Sequence, residues 1–159
     1  MNMVWHYAPW AYLNAMVESG ALRGSNAGAP GEVEMLWFSA NQHWEPTATK
    51  MITNTAGATV FMTFKQQVHI AGCIRFGIAA ADFRLLNWKD ACAAAGTSRD
   101  ARRSMEKVGK KQGATPSHWF ATAATIPLEE LKFQVFIGDW HDAECSKDMA
   151  AVWTNRQAA

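Results

Sequence analysis

Apolar and polar side chains first alternate at the start of the chain, where Val4, Trp5 and Tyr7 are interleaved with His6, and Asn2 to Tyr7 is predicted as a short strand. In a regular strand His6 and Tyr7 then face opposite sides. The period lengthens at once: Trp10, Leu13, Met16 and Val17 recur at helical spacing, with Pro9 suited to a first turn and Gly20 to an end. A strand followed by a helix is expected. From Ala21 to Gly31 the residues Gly24, Ser25, Asn26, Gly28 and Pro30 predict a surface loop. Val33 to Ala40 has the aromatic and aliphatic content of a strand, and the polar run from Asn41 to Pro46 reads as a loop leaving it.

Strand patterns return over Ala58 to Phe64 and His69 to Ala79, while Asp82 to Leu86 fits no single period. Asn87 is a helix cap for a segment through Ala95 that Gly96 closes, and Ser98 caps a second helix, Arg99 to Gln112, closed by Gly113. Pro116 to Phe120 predicts a turn, Thr122 to Ile126 a strand, and Pro127 to Leu131 a turn or single helical turn. The last strand expected is Phe133 to Gly138, with Gln134 and Phe136 on one face and Phe133, Val135 and Ile137 on the other. Beyond Trp140 the pattern assigns no element, and the tail after Trp153 is expected to fray. Strands thus mix with helices without clean βαβ alternation. The expected class is α+β with a mostly antiparallel, split sheet.

Length and composition narrow the class further. A chain of 159 residues with no repeat or linker fits one domain, residues 1–159, large enough for its own core. With 49% hydrophobic residues and a formal net charge of +1, neither disorder nor a generally basic nucleic-acid surface is indicated. Arg99, Arg102, Arg103, Lys107, Lys110 and Lys111 form a basic run, read as one solvated helix face. Cys73, Cys92 and Cys145 are odd in number, without close pairing or a secretory leader, and a reducing cytoplasm is expected. Apolar runs are interrupted well before the ~20 residues a spanning helix needs, so no membrane segment is expected.

The chemistry concentrates between Leu36 and Thr47, which carries Trp37, Phe38, Ser39, His43, Trp44 and Glu45. Loops of this kind beside a buried strand commonly hold ligands. There is no glycine-rich phosphate loop, no Gly-x-Ser-x-Gly elbow and no Cys-x-x-Cys pair. The four-residue spacings His69 to Cys73 and His141 to Cys145 suit a metal only on a helix, and both fall where strand or irregular chain is predicted. No metal is expected. His43 and Glu45 point one way if extended, as a base and its orienting partner, although Glu45 before Pro46 and Thr47 also suits bracing of a turn.

Three separated pieces resemble the ADP-ribosyltransferase-like proteins of the His-Tyr-Glu type and their small phage and bacterial relatives. These are the opening His6-Tyr7 strand with its helix ending in Ser19-Gly20, the Leu36-Trp37-Phe38-Ser39 strand, and the late strand Lys132 to Phe136. The resemblance implies two small sheets forming a cleft for NAD, used as a substrate whose ADP-ribose passes to a protein, nucleic acid or small acceptor. It implies that His6 hydrogen-bonds a ribose hydroxyl, that Tyr7 or Trp37 walls the nicotinamide, that Ser39 holds a ribose or amide group, and that the loop with Trp44 covers the ligand. Gln134 stands where the family's catalytic Glu is expected, keeping the acceptor oxygen without the charge that stabilises a cationic sugar. Either the reaction is slow, or Glu45, Glu129 or Glu130 supplies the charge, or the domain is a non-catalytic nucleotide- or protein-binding module.

Overall fold

Residues 2–25 and 29–158 are described by the structure, a computed structural model. Asn26 and Gly28 of the expected loop lie outside the described residues. The opening strand forms as β1 (Met3–Ala8), and the helix after it as a 3-10 turn, Trp10–Tyr12, leading into α1 (Leu13–Ser19). Gly20 closes α1 at φ 70°, a left-handed conformation that disfavours any side chain. Next, β2 (Ala21–Leu22) lies inside the segment expected to be loop, and β3 (Leu36–Ser39) is the tryptophan strand.

The middle of the chain departs from its predicted strands. A small exposed hairpin, β4 (Met51–Thr53) and β5 (Thr59–Phe61), occupies part of the Ala58 to Phe64 pattern. Phe64 already begins α2 (Phe64–Ala71), and only then comes β6 (Ile74–Ala79), so His69 lies on a helix rather than a strand. A capping box explains the correction: the Thr63 hydroxyl accepts from Gln66 N, and the Gln66 amide oxygen accepts from Thr63 N.

After β7 (Leu86–Asn87), both capped helices form as read. α3 (Trp88–Ala95) is capped by Asn87 and ended by Gly96, and α4 (Arg99–Lys111) is capped by Ser98. The strand placed at Thr122 to Ile126 instead lies earlier, as β8 (Trp119–Thr122), with β9 (Ile126–Pro127) separate. Pairing decides this, because β8 matches β3 over its whole length while β9 pairs with β2. The chain ends in β10 (Lys132–Phe136), β11 (Trp140–Asp142) and α5 (Lys147–Ala158), the last beginning where no element was assigned and running past Trp153, where fraying was expected. Trp153 explains the order: it is buried, stacks on Trp10 at 5.9 Å and fixes α5 to the body of the fold.

The class is α+β with a large antiparallel sheet. Among the described residues seven strands run in the order β11-β10-β6-β1-β3-β8-β7. Their ladders are unequal. β1 and β6 share six cross-strand pairs, and β3 and β8 share four, whereas β1 and β3 share one, Trp5 with Ser39. The sheet therefore consists of two halves held together at a narrow junction.

One face carries the main core: Val4, Phe38, Ile74, Phe76, Phe133 and Val135 pack beneath Trp10, Leu13 and Trp153. The opposite face carries Trp5, Tyr7, Arg75 and Gln134 in one half, and Trp37, Ser39 and Trp119 in the other. Among the described residues no helix is long and apolar enough to cross a membrane, and no three His, Cys, Asp or Glu side chains come together as a metal site.

Candidate functional site

A cavity of about 660 Å³ opens over the junction, between β3, the loop beyond it, α3 and α4. That volume lies within the range of small-molecule sites. Its aromatic side is built from Trp37, Trp88 and Trp119. Trp88 stands 5.5 Å from Trp37 and 4.9 Å from Trp119, ring centre to ring centre, and its indole N–H donates to Glu106 of α4 at 2.7 Å. Gly109 lets α4 approach so closely, since a Cβ there would come within 2.5 Å of the Trp119 ring. The Trp119 indole N–H is buried without a hydrogen-bond partner among the described residues, a condition that costs about 1–3 kcal/mol where nothing else accepts it. Lys50 and the exposed Phe61, Met105 and Val108 form the rim.

At the polar end lies Glu45, only 5% exposed. Its carboxylate accepts from the Ser39 hydroxyl at 2.6 Å, the Thr47 hydroxyl at 2.7 Å and Thr47 N at 3.2 Å. The last contact caps the 3-10 turn Pro46–Ala48, so the turn-bracing role expected of Glu45 is present. A carboxylate has about four lone-pair positions, which leaves room for one donor from a ligand. His43 is exposed and makes no hydrogen bond with Glu45, so the base and orienting partner expected of that pair do not meet.

His6 borders the cavity from the strand beside the junction. Alternation puts it with Val4 and Ala8, edge-on to Phe38 at 6.0 Å, and opposite to Tyr7 as expected. Its Nδ1 lies 2.9 Å from the Trp37 carbonyl oxygen. A carbonyl only accepts, so Nδ1 carries the proton and Nε2 presents a lone pair. Burial lowers the pKa of the imidazole from its ordinary value, outweighing the Trp37 hydrogen bond, and the nearby Lys50 charge lowers it further. The ring is thus held neutral, with its proton on Nδ1.

Gln134 is elsewhere. Register places Tyr7, Arg75, Gln134 and Asp142 side by side across β1, β6, β10 and β11. Arg75 Nε donates to the Gln134 oxygen at 2.7 Å, and the Gln134 amide nitrogen donates to Asp142 at 2.6 Å. The Arg75 guanidinium is sandwiched between Trp5 and Trp140, 3.9 and 4.2 Å from the ring centres.

Above this row the loop after β3 is tied down by its carbonyls. Tyr7 donates to Asn41 at 2.6 Å, Arg75 to Gln42, and Trp140 to His43 at 2.8 Å. Trp44 packs under the same loop, 4.5 Å from Phe64 and 5.1 Å from Tyr7. Burial raises the Tyr7 hydroxyl to about 12, against the opposing influence of Arg75, so it remains a donor.

Of the residues singled out from sequence, His6, Tyr7, Trp37, Ser39 and Glu45 line the cavity, while Trp44 and Gln134 do not. Glu130 is bound to Arg84 at 2.7 Å, and neither it nor Glu129 lines the cavity. Sequence reading passed over Arg75, although an arginine inside the apolar run Cys73 to Ala79 signals a buried charge needing partners. Lys50, Trp88 and Trp119 were also missed as lining residues, and no short motif marks them. Searches of protein-family models, curated proteins and solved structures found no match to this chain.

Proposed function

We propose that the protein is an ADP-ribosyltransferase-like enzyme that binds NAD in the junction cavity and transfers ADP-ribose to an acceptor. The observation that carries this reading is that Trp37, Ser39 and Glu45, together with the His6-Tyr7 segment of β1, border one cavity where two halves of a sheet meet at a single pair. In this reading that junction is the split of the family's sheet. His6 hydrogen-bonds a ribose hydroxyl, and Trp37 walls the nicotinamide ring. Glu45 takes the electrostatic role that Gln134, outside the cavity, does not fill.

As the glycosidic C–N bond breaks, its electron pair leaves with nicotinamide and positive charge develops on the ribose. A fixed carboxylate close to that charge lowers the barrier. The acceptor then supplies the electron pair of the new bond and loses its proton. Incubation with labelled NAD and cell lysate tests this directly: nicotinamide release well above that of a His6→Ala variant is expected, and equal release by the two overturns the enzymatic claim.

A second reading, a binding module without catalysis, is favoured by one observation. Glu45 already accepts three hydrogen bonds from Ser39 and Thr47, which ties its charge to holding the loop. NAD binding without nicotinamide release would be its signature.

A further inference from the structure

We infer that Gln134 is a positioning residue, an amide relay that fixes Arg75 and through it the loop bearing Glu45, and not a catalytic glutamate that has lost its charge. The inference rests on the proposed role of Glu45, but its geometry stands apart from any ligand. Gln134 is 9% exposed and lies between a guanidinium that only donates and a carboxylate that only accepts. A primary amide satisfies both, with oxygen toward Arg75 Nε and nitrogen toward Asp142. A glutamate would satisfy Arg75 but set its second oxygen against the Asp142 carboxylate, within the 2.6 Å now spanned by a hydrogen bond. Two like charges so placed repel.

Arg75 has no carboxylate within ion-pair distance among the described residues, and its orientation therefore depends on Gln134, the Trp5 and Trp140 faces, Tyr7 and the Gln42 carbonyl. The loop depends on Arg75 in turn. Tyr7, Arg75 and Trp140 hold three successive carbonyls, and two residues further on Glu45 meets Ser39 at the cavity floor. The chain of contacts runs Asp142, Gln134, Arg75, Gln42, and three residues of backbone then lead to Glu45. Its register is built into four adjacent strands.

Amide hydrogen exchange of the ligand-free protein, read over residues 41–44, tests the relay independently of NAD. Those amides include Asn41 N, bonded to Ser39, and His43 N, bonded to the Asn41 side chain. Gln134→Glu is expected to speed their exchange by about tenfold and to lower nicotinamide release rather than raise it. Adding Asp142→Asn to that variant supplies a donor to the new carboxylate, and is expected to return exchange toward the wild-type rate. Unchanged exchange in Gln134→Glu, a gain in nicotinamide release, or failure of the double variant to recover would each overturn the relay.

If Gln134→Glu does not fold, Asp142→Ala removes the acceptor at an exposed site. Faster exchange over the same four residues is then expected, and an unchanged rate contradicts the inference. Absence of nicotinamide release from the wild-type protein would remove the proposed enzymatic activity but leave the exchange result readable.

Discussion

The two halves of the sheet present the same face to very different surroundings. Across β1, β6, β10 and β11 the Tyr7-Arg75-Gln134-Asp142 row is closed: donors meet acceptors, two indoles cover the guanidinium, and the loop seals it. Beside β3 and β8 a cavity of about 660 Å³ is open, and the Trp119 N–H has no partner among the described residues. Polar side chains alone therefore do not mark a ligand site. A satisfied network fixes geometry, whereas groups left with unused donors or acceptors await something else. On this contrast the Arg75 row is support, and the cavity is the site proposed for the ligand.

The largest effect that would break the contrast is on turnover. Glu45→Gln is expected to reduce nicotinamide release about 10²–10³-fold, by analogy with loss of one electrostatic contact to a transition state. Unchanged turnover would move the chemistry away from the cavity. Next comes Gly77, which pairs with Trp5 and lies under its ring. A Cβ at this position would come within 2.6 Å of Trp5, so Gly77→Ala is expected to lower stability by about 1–3 kcal/mol in a denaturant titration. It would also displace the indole stacked on Arg75, loosening the closed half while leaving the aromatic side of the cavity in place.

A smaller effect separates the halves by pH. Burial lowers the pKa of His6 below 6.5, so the unfolded chain takes up this proton first as pH falls. Stability from the neutral ring is present above 6.5 and is lost progressively below it. The melting temperature is expected to decline by a few degrees as pH drops below that value, and His6→Gln to remove this part of the decline. Smallest is Lys132→Ala. The Lys132 to Asp142 pair is 46% and 67% exposed, and its loss is expected to leave the midpoint of the same titration almost unchanged.

What could be read from the sequence followed local rules. β1 and α1 were legible from a change of period, and α3 and α4 from caps at Asn87 and Ser98 with glycine stops. α2 was missed because its two ends were read into the flanking strands, Phe64 closing one and His69 to Ala71 opening the next, while the Thr63 and Gln66 capping box was overlooked. α5 was missed because its anchor is tertiary: Trp153 stacks on a ring 143 positions earlier in the chain. At the site, alternation correctly set His6 and Tyr7 on opposite faces. The row from Tyr7 to Asp142 was not legible, since it depends on register among four strands that no single segment encodes. Gln134 illustrates the difficulty, because residue type at a motif position does not disclose which partners the fold brings to it.

The claim that a nucleotide occupies the open half is tested most directly by the indole N–H signals of the eight tryptophans. Each is assigned by its Trp→Phe variant and followed by NMR during titration with NAD. Trp5, Trp37, Trp88 and Trp119 line the cavity, whereas Trp10, Trp44, Trp140 and Trp153 do not. Saturable shifts of the first set, largest at Trp37, with little change in the second, are the expected result. No shift at any indole, or shifts centred on Trp140, would contradict the assignment of NAD to the junction cavity.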